Sequence, residues 1–150
     1  MKILVVEDGY EYSELLTRFL GERFEFLRAG NGEEAIAALR KEEWDVVLLD
    51  LCFDRIPVSE LVGDLLSMKE RFNGDVALTQ QYLARNQGLY ILAMMRSQQL
   101  YTPVLLSHDY SHEEARWKRL EQKYKPVRYI VDNAGPDLIA DTFEMMKVSV

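Results

Sequence analysis

Three short runs of uninterrupted apolar residues punctuate the chain: Ile3-Leu4-Val5-Val6, Val46-Val47-Leu48-Leu49 and Val104-Leu105-Leu106. Runs this short and this rich in branched side chains predict strands buried on both faces, because a half-exposed strand would alternate with polar residues. Residues 24–29 and 127–131 read as two further strands. Between them the apolar spacing turns helical. Leu15, Leu16, Phe19 and Leu20 mark a helix over 11–22, and Ala35, Ile36, Ala38 and Leu39 mark a second. The second has Asn31 as a cap and Glu33 and Glu34 in its first turn, where acids favour the helix dipole. Ser111-His112-Glu113-Glu114 reads as a capping box opening a helix to about Tyr124, and Pro136 suits the first turn of a last helix. Strands alternating with helices predict βαβ units and an α/β, doubly wound, five-stranded parallel sheet.

Residues 54–87 interrupt this alternation. The spacing of Leu61, Val62, Leu65, Leu66 and Phe72 predicts an amphipathic helix over 58–72. Asn73-Gly74-Asp75 is a turn signal, and a further helix is expected from about Leu78 to Gln98. The segment reads as a helical insertion of the scale of a hairpin, placed after the third strand. Its apolar face, with Leu61, Leu65 and Phe72, is expected to cover the neighbouring helix or to offer a partner or homodimer surface.

With 150 residues the chain is one domain that can bury roughly 70% of its unfolded surface without disulfides. At 48% apolar and 29% charged it is globular rather than disordered. Eighteen Lys and Arg against 25 Asp and Glu give a net charge of −7, which argues against nucleic-acid and anionic-membrane partners. Cys52 is a lone cysteine, so a reducing, cytoplasmic setting is expected. No apolar run approaches the roughly 20 residues of a membrane span, and the N-terminus does not resemble a signal peptide.

Candidate chemistry lies where parallel sheets place their sites, beyond the carboxyl ends of the strands. Strand one ends in Glu7-Asp8, strand three in Asp50, strand four in Ser107, and strand five runs into Asp132-Asn133. Three carboxylates at one sheet edge repel unless a proton or a hard cation joins them. Mg²⁺ suits them, since it takes oxygen ligands and leaves room for a phosphate oxygen. A carboxylate beside such a metal can act as a nucleophile towards phosphorus, and a hydroxyl such as Ser107 can donate to phosphoryl oxygens. The plainer alternative is that these acids cap the helices that follow. No nucleophile elbow or phosphate-cradling glycine pattern supports a hydrolase triad or a dinucleotide site.

The ordered set of Glu7-Asp8, Asp50 and Ser107, each behind its apolar run, resembles the receiver domain of two-component response regulators. The resemblance covers about 120 residues, interrupted by 54–87. It implies a flavodoxin-like sheet of order 2-1-3-4-5 and a cytoplasmic, stand-alone signalling protein that is not an enzyme beyond its own phosphorylation and dephosphorylation. It implies Asp50 as phosphoacceptor, fed by a histidine kinase or phosphotransfer protein and read by a downstream protein target. Mg²⁺ would be held by Glu7, Asp8, Asp50 and the backbone carbonyl of Cys52. Ser107 would bind the phosphoryl group, and Tyr129 would be the aromatic that moves with it.

The chain also departs from that pattern. The family's lysine at the end of strand five is replaced by Asp132-Asn133, and Lys125-Pro126 precedes the strand. His108 follows Ser107 where the family usually has a small residue, and it is expected to crowd the phosphoryl group. The glycine that follows the acceptor in the family is matched by Gly88, 38 residues on. Two readings stay open: a working phosphoacceptor, and a pseudo-receiver acting as a phosphorylation-independent interaction module. A magnesium-dependent phosphohydrolase is disfavoured, because Cys52 stands where a second carboxylate is needed.

Overall fold

A computed structural model describes residues 1–148, apart from the side chains of Leu65, Leu66 and Val148. Five strands, β1 (Lys2–Val6), β2 (Glu25–Ala29), β3 (Val46–Asp50), β4 (Val104–Ser107) and β5 (Val127–Ile130), form one parallel sheet of order β2-β1-β3-β4-β5. The helices are α1 (Glu11–Leu20), α2 (Gly32–Lys41), α3 (Leu65–Arg71), α4 (Val76–Arg85), α5 (Gln87–Ser97), α6 (Glu114–Tyr124) and α7 (Pro136–Val148). The uninterrupted apolar runs have their cause in the two helical layers. Leu4, Val6, Val47 and Leu49 face a core shared with α2 and α5, while Ile3, Val5, Val46 and Leu48 face one shared with α1 and α7. Each fully buried aliphatic side chain contributes on the order of 1.5–3 kcal/mol. The register then fixes the sheet's open edge, because Asp50 is paired with Ser107 on adjacent central strands.

The insertion is helical but not built as the apolar spacing predicts. Residues 58–72 are not one helix. A single 3-10 turn (Val58–Glu60) is followed by extended chain at Leu61, and α3 begins only at Leu65. Gly63, at φ 134°, holds a conformation that side-chain-bearing residues rarely adopt. The Gln87 side chain pins Val62 as a strand partner would, accepting from its amide at 2.6 Å and donating to its carbonyl at 2.9 Å. Leu61 packs on the main core and Phe72 stacks 5.3 Å from Tyr82 within the insertion. Of the face expected to cover a neighbouring helix or to offer a partner surface, Leu61 and Phe72 are half-buried with contacts inside the domain, as in the covering alternative, and the Leu65 side chain lies outside the described residues.

The expected helix over 78–98 is two helices. Asp75 caps α4 by accepting from the Leu78 amide at 3.1 Å, and the chain breaks at Asn86. The loop after Asp50 docks there, with Phe53 N donating to Ala84 O at 2.8 Å and Gly88 N to Leu51 O at 2.9 Å. A Cβ at Gly88 would collide with the Asp50 carbonyl, so glycine is required for the close approach. The capping box at Ser111 also fails to form. The Asp109 carboxylate takes the Ser111 amide at 2.8 Å in a tight turn, and α6 starts at Glu114.

Candidate functional site

At the carboxyl ends of the strands lies a cleft of about 580 Å³, lined by Glu7, Asp8, Asp50, Cys52, Ser107 and Asp132 among others. Glu7 is only 1% exposed. Its two carboxylate oxygens accept from the amides of Tyr12 (3.1 Å) and Ser13 (2.8 Å), satisfying the first turn of α1, whose N-cap Tyr10 offers no side-chain bond. A negative charge there also complements the helix dipole. Glu7 is thus a helix cap whatever else it does. Asp8 turns one oxygen to the Arg55 amide at 2.8 Å.

Asp50 accepts from the Leu51 amide at 2.8 Å through one oxygen. Its pKa is pushed up to about 6, first by burial and then by the negative charges of Asp8, Glu7 and Glu11, with the Leu51 bond pulling the other way. The Asp50 carboxylate therefore sits in a charge-frustrated position. Ser107, 3% exposed, shares a short hydrogen bond with the Tyr12 hydroxyl, which also lies 3.2 Å from the Asp132 carbonyl. Tyr12 has one proton to give; with it on that carbonyl, Ser107 donates to the phenol oxygen. Tyr12 thus ties β4 to the chain beyond β5. Burial pushes its phenol up, and burial does the same to the Cys52 thiol, with Asp54, Asp50 and Asp8 adding to it. Cys52 is accordingly a poor nucleophile at neutral pH.

His108 does not crowd the cleft. Its ring packs 4.5 Å from Tyr110 and its Nε2 lies 3.4 Å from Glu113, because the chain turns after Ser107 and carries the imidazole towards α6. Tyr129 lies outside the cleft, against Trp117 (4.9 Å) and the buried Tyr110 (5.6 Å). Lys125 precedes β5 and lines a separate groove with Trp117 and Met145. Four charged or polar cleft residues escaped the sequence reading: Glu11, Tyr12, Asp54 and Arg55. Tyr12 arrives from the first turn of α1, four residues after Asp8, and Arg55 comes from the loop after β3, where it is the only basic residue between Asp50 and Glu60.

No family model matches the chain. Solved structures do. A Francisella response-regulator receiver domain superposes with a TM-score of 0.66 at 15% identity, over 99% of this chain and 97% of its own. The receiver domain of NtrX from Brucella abortus gives 0.65 at 19% identity over 99% of each. The chemotaxis response regulator CheY4 of Vibrio cholerae gives 0.64 at 19% over 97% of each. The fold is that of a receiver domain.

The cleft carries a strongly negative charge balance. Among the described residues that line it, Glu7, Asp8, Glu11, Asp50, Asp54 and Asp132 are acidic and Arg55 alone is basic. Among the described residues no three His, Cys, Asp or Glu side chains converge as a ready-made metal cage. Mg²⁺ does not need one, since it binds through one or two carboxylates and keeps several waters. Asp8 and Asp50 would supply hard oxygen ligands, and the charge of Asp50 is disfavoured without a cation, so the donor set fits one. No described helix is long and apolar enough to cross a membrane.

Proposed function

We propose that the chain is a receiver-type signalling module phosphorylated on Asp50 in a two-component phosphorelay. The observation that carries this reading is the place of Asp50, at the end of the central strand, in register with Ser107 and inside an acidic cleft. The free oxygen of Asp50 attacks phosphorus, the bond from phosphorus to the donor breaks, and the donor leaves with the electron pair. A phosphohistidine on a histidine kinase or phosphotransfer protein is the donor, and a protein target reads the product, in the cytoplasm. Ser107 turns its hydroxyl from Tyr12 to a phosphoryl oxygen. Mg²⁺ would be held by Asp8, Asp50 and the Cys52 carbonyl, with Glu7 contributing charge from behind its helix amides, and would supply positive charge to the phosphoryl oxygens.

Fluoroberyllate, a mimic of the phosphoryl group, tests this with Mg²⁺ and ¹⁹F NMR. A bound fluorine signal is expected from the wild type and none from Asp50→Asn. The pseudo-receiver reading is favoured by one observation, the engagement of Ser107 by Tyr12. It expects no bound signal from either protein.

A further inference from the structure

The cleft's lining sets six carboxylates against one guanidinium among the described residues, so a dianionic group bonded to Asp50 adds charge where the balance is already negative. Arg55 is held there by its backbone, whose amide donates to Asp8 at 2.8 Å, while its guanidinium pairs with Glu11 at the start of α1. The pair lies over Gly9. A Cβ at that position would meet both the Arg55 Nη1 and the Glu11 Oε2, the movable ends of two flexible side chains. The Arg55 side chain is 58% exposed and Glu11 63%, which makes this a solvent-screened pair of the kind that contributes little and breaks readily. The main chain is therefore anchored at an acceptor-site carboxylate while the charged end is only loosely held. Lys125 offers no substitute, because it enters β5 at the end away from Asp132 and lines another groove.

We infer that Arg55 is the phosphoryl-binding cation of this site, held in reserve by Glu11 and transferred to the phosphoryl oxygens once Asp50 is modified. The inference rests on the phosphoacceptor reading of Asp50. With acetyl phosphate as donor, the Asp50 oxygen bonds to phosphorus, the acetate oxygen–phosphorus bond breaks, and acetate leaves with the electron pair; no proton moves. Two guanidinium N–H groups then donate to two non-bridging oxygens, a fork geometry that a lysine cannot reproduce.

The full chain is exposed to acetyl phosphate with limiting Mg²⁺, and acyl-phosphate yield and lifetime are read by intact mass. Arg55→Ala should lower the yield about tenfold, the usual scale for losing a charged hydrogen-bonding partner, with Arg55→Lys intermediate. Glu11→Gln, which releases the guanidinium and removes a negative charge near Asp50, should raise the yield, and the gain should be several-fold smaller when Arg55→Ala is already in place. Thermal melts of all four should match the wild type, since the pair is at the surface. Wild-type modification at Asp50 that is unchanged in Arg55→Ala, or a Glu11→Gln gain as large without Arg55 as with it, overturns the inference alone. A wild type that takes no phosphoryl group at Asp50 overturns the phosphoacceptor reading and this inference with it.

Discussion

Asp50 is a half-buried carboxylate surrounded by other carboxylates, and both circumstances oppose its ionisation. With a folded pKa of about 6 against 3.8 in the unfolded chain, the native state binds its proton more tightly than the unfolded state does. The stability cost of ionising it is therefore absent below the unfolded value and grows as pH rises through 6. Asp50→Asn should stabilise the metal-free protein at pH 7.5 by up to about 3 kcal/mol, with the gain shrinking towards pH 4. Urea melts of both proteins at the two pH values measure it, and equal stability at pH 7.5 would contradict the frustrated-carboxylate account. Tyr12 makes a second prediction. Removing its hydroxyl frees Ser107 for a ligand, so Tyr12→Phe should tighten fluoroberyllate binding by about fivefold, the worth of one ordinary hydrogen bond. Weaker binding would mean that the phenol is itself a ligand group. The acids and Ser107 were legible in the sequence because they terminate apolar runs, and a strand end has a known place in a parallel sheet. Tyr12 and Arg55 were not, since a helix turn and an irregular loop bring them in and neither carries a periodic signal. His108 was misplaced for the same reason, as nothing in the sequence announced the turn that follows Ser107.

At the scale of elements, the sheet and its covering helices were readable, whereas the insertion yielded only its helical character. Apolar spacing across 58–72 fits a helix, but the preference of Gly63 and the long-range grip of Gln87 on Val62 outweigh it. Gln87 is fully buried and also donates to the Leu83 carbonyl at 3.3 Å, so its amide joins the insertion to α5 beneath the Asp50 loop. Gln87→Ala leaves the Val62 amide and carbonyl without that partner and should cost about 2–3 kcal/mol. The loss should appear in denaturant melts and as faster hydrogen exchange through residues 58–64. A melt within error of the wild type would show that the insertion does not depend on this contact. The break at Asn86 has a similar origin: the Phe53 amide of the loop after β3 donates to the Ala84 carbonyl and the Gly88 amide donates to the Leu51 carbonyl of that loop, tertiary bonds invisible to local propensity.

Across the whole molecule, the two ends of the sheet are finished in opposite ways. At the end where β4 and β5 begin, the buried Arg96 donates to the carbonyls of Leu100, Thr102, Tyr124 and Pro126, and burial lowers its pKa to about 10. That end is satisfied and closed. Among the described residues the other end gathers six carboxylates around one loosely held arginine and stays open to solvent. The parallel strands and the acids at their ends were legible from the apolar runs, while the strand order came only with the family resemblance; whether the cleft is used for chemistry depends on how its charge is answered, which a sequence pattern does not carry. The most direct measurement is peptide mapping by mass spectrometry after incubation with acetyl phosphate and Mg²⁺. The account predicts one phosphoryl group, on the peptide carrying Asp50, absent without Mg²⁺ and absent in Asp50→Asn. An unmodified Asp50 peptide in a folded, Mg²⁺-saturated protein would contradict it.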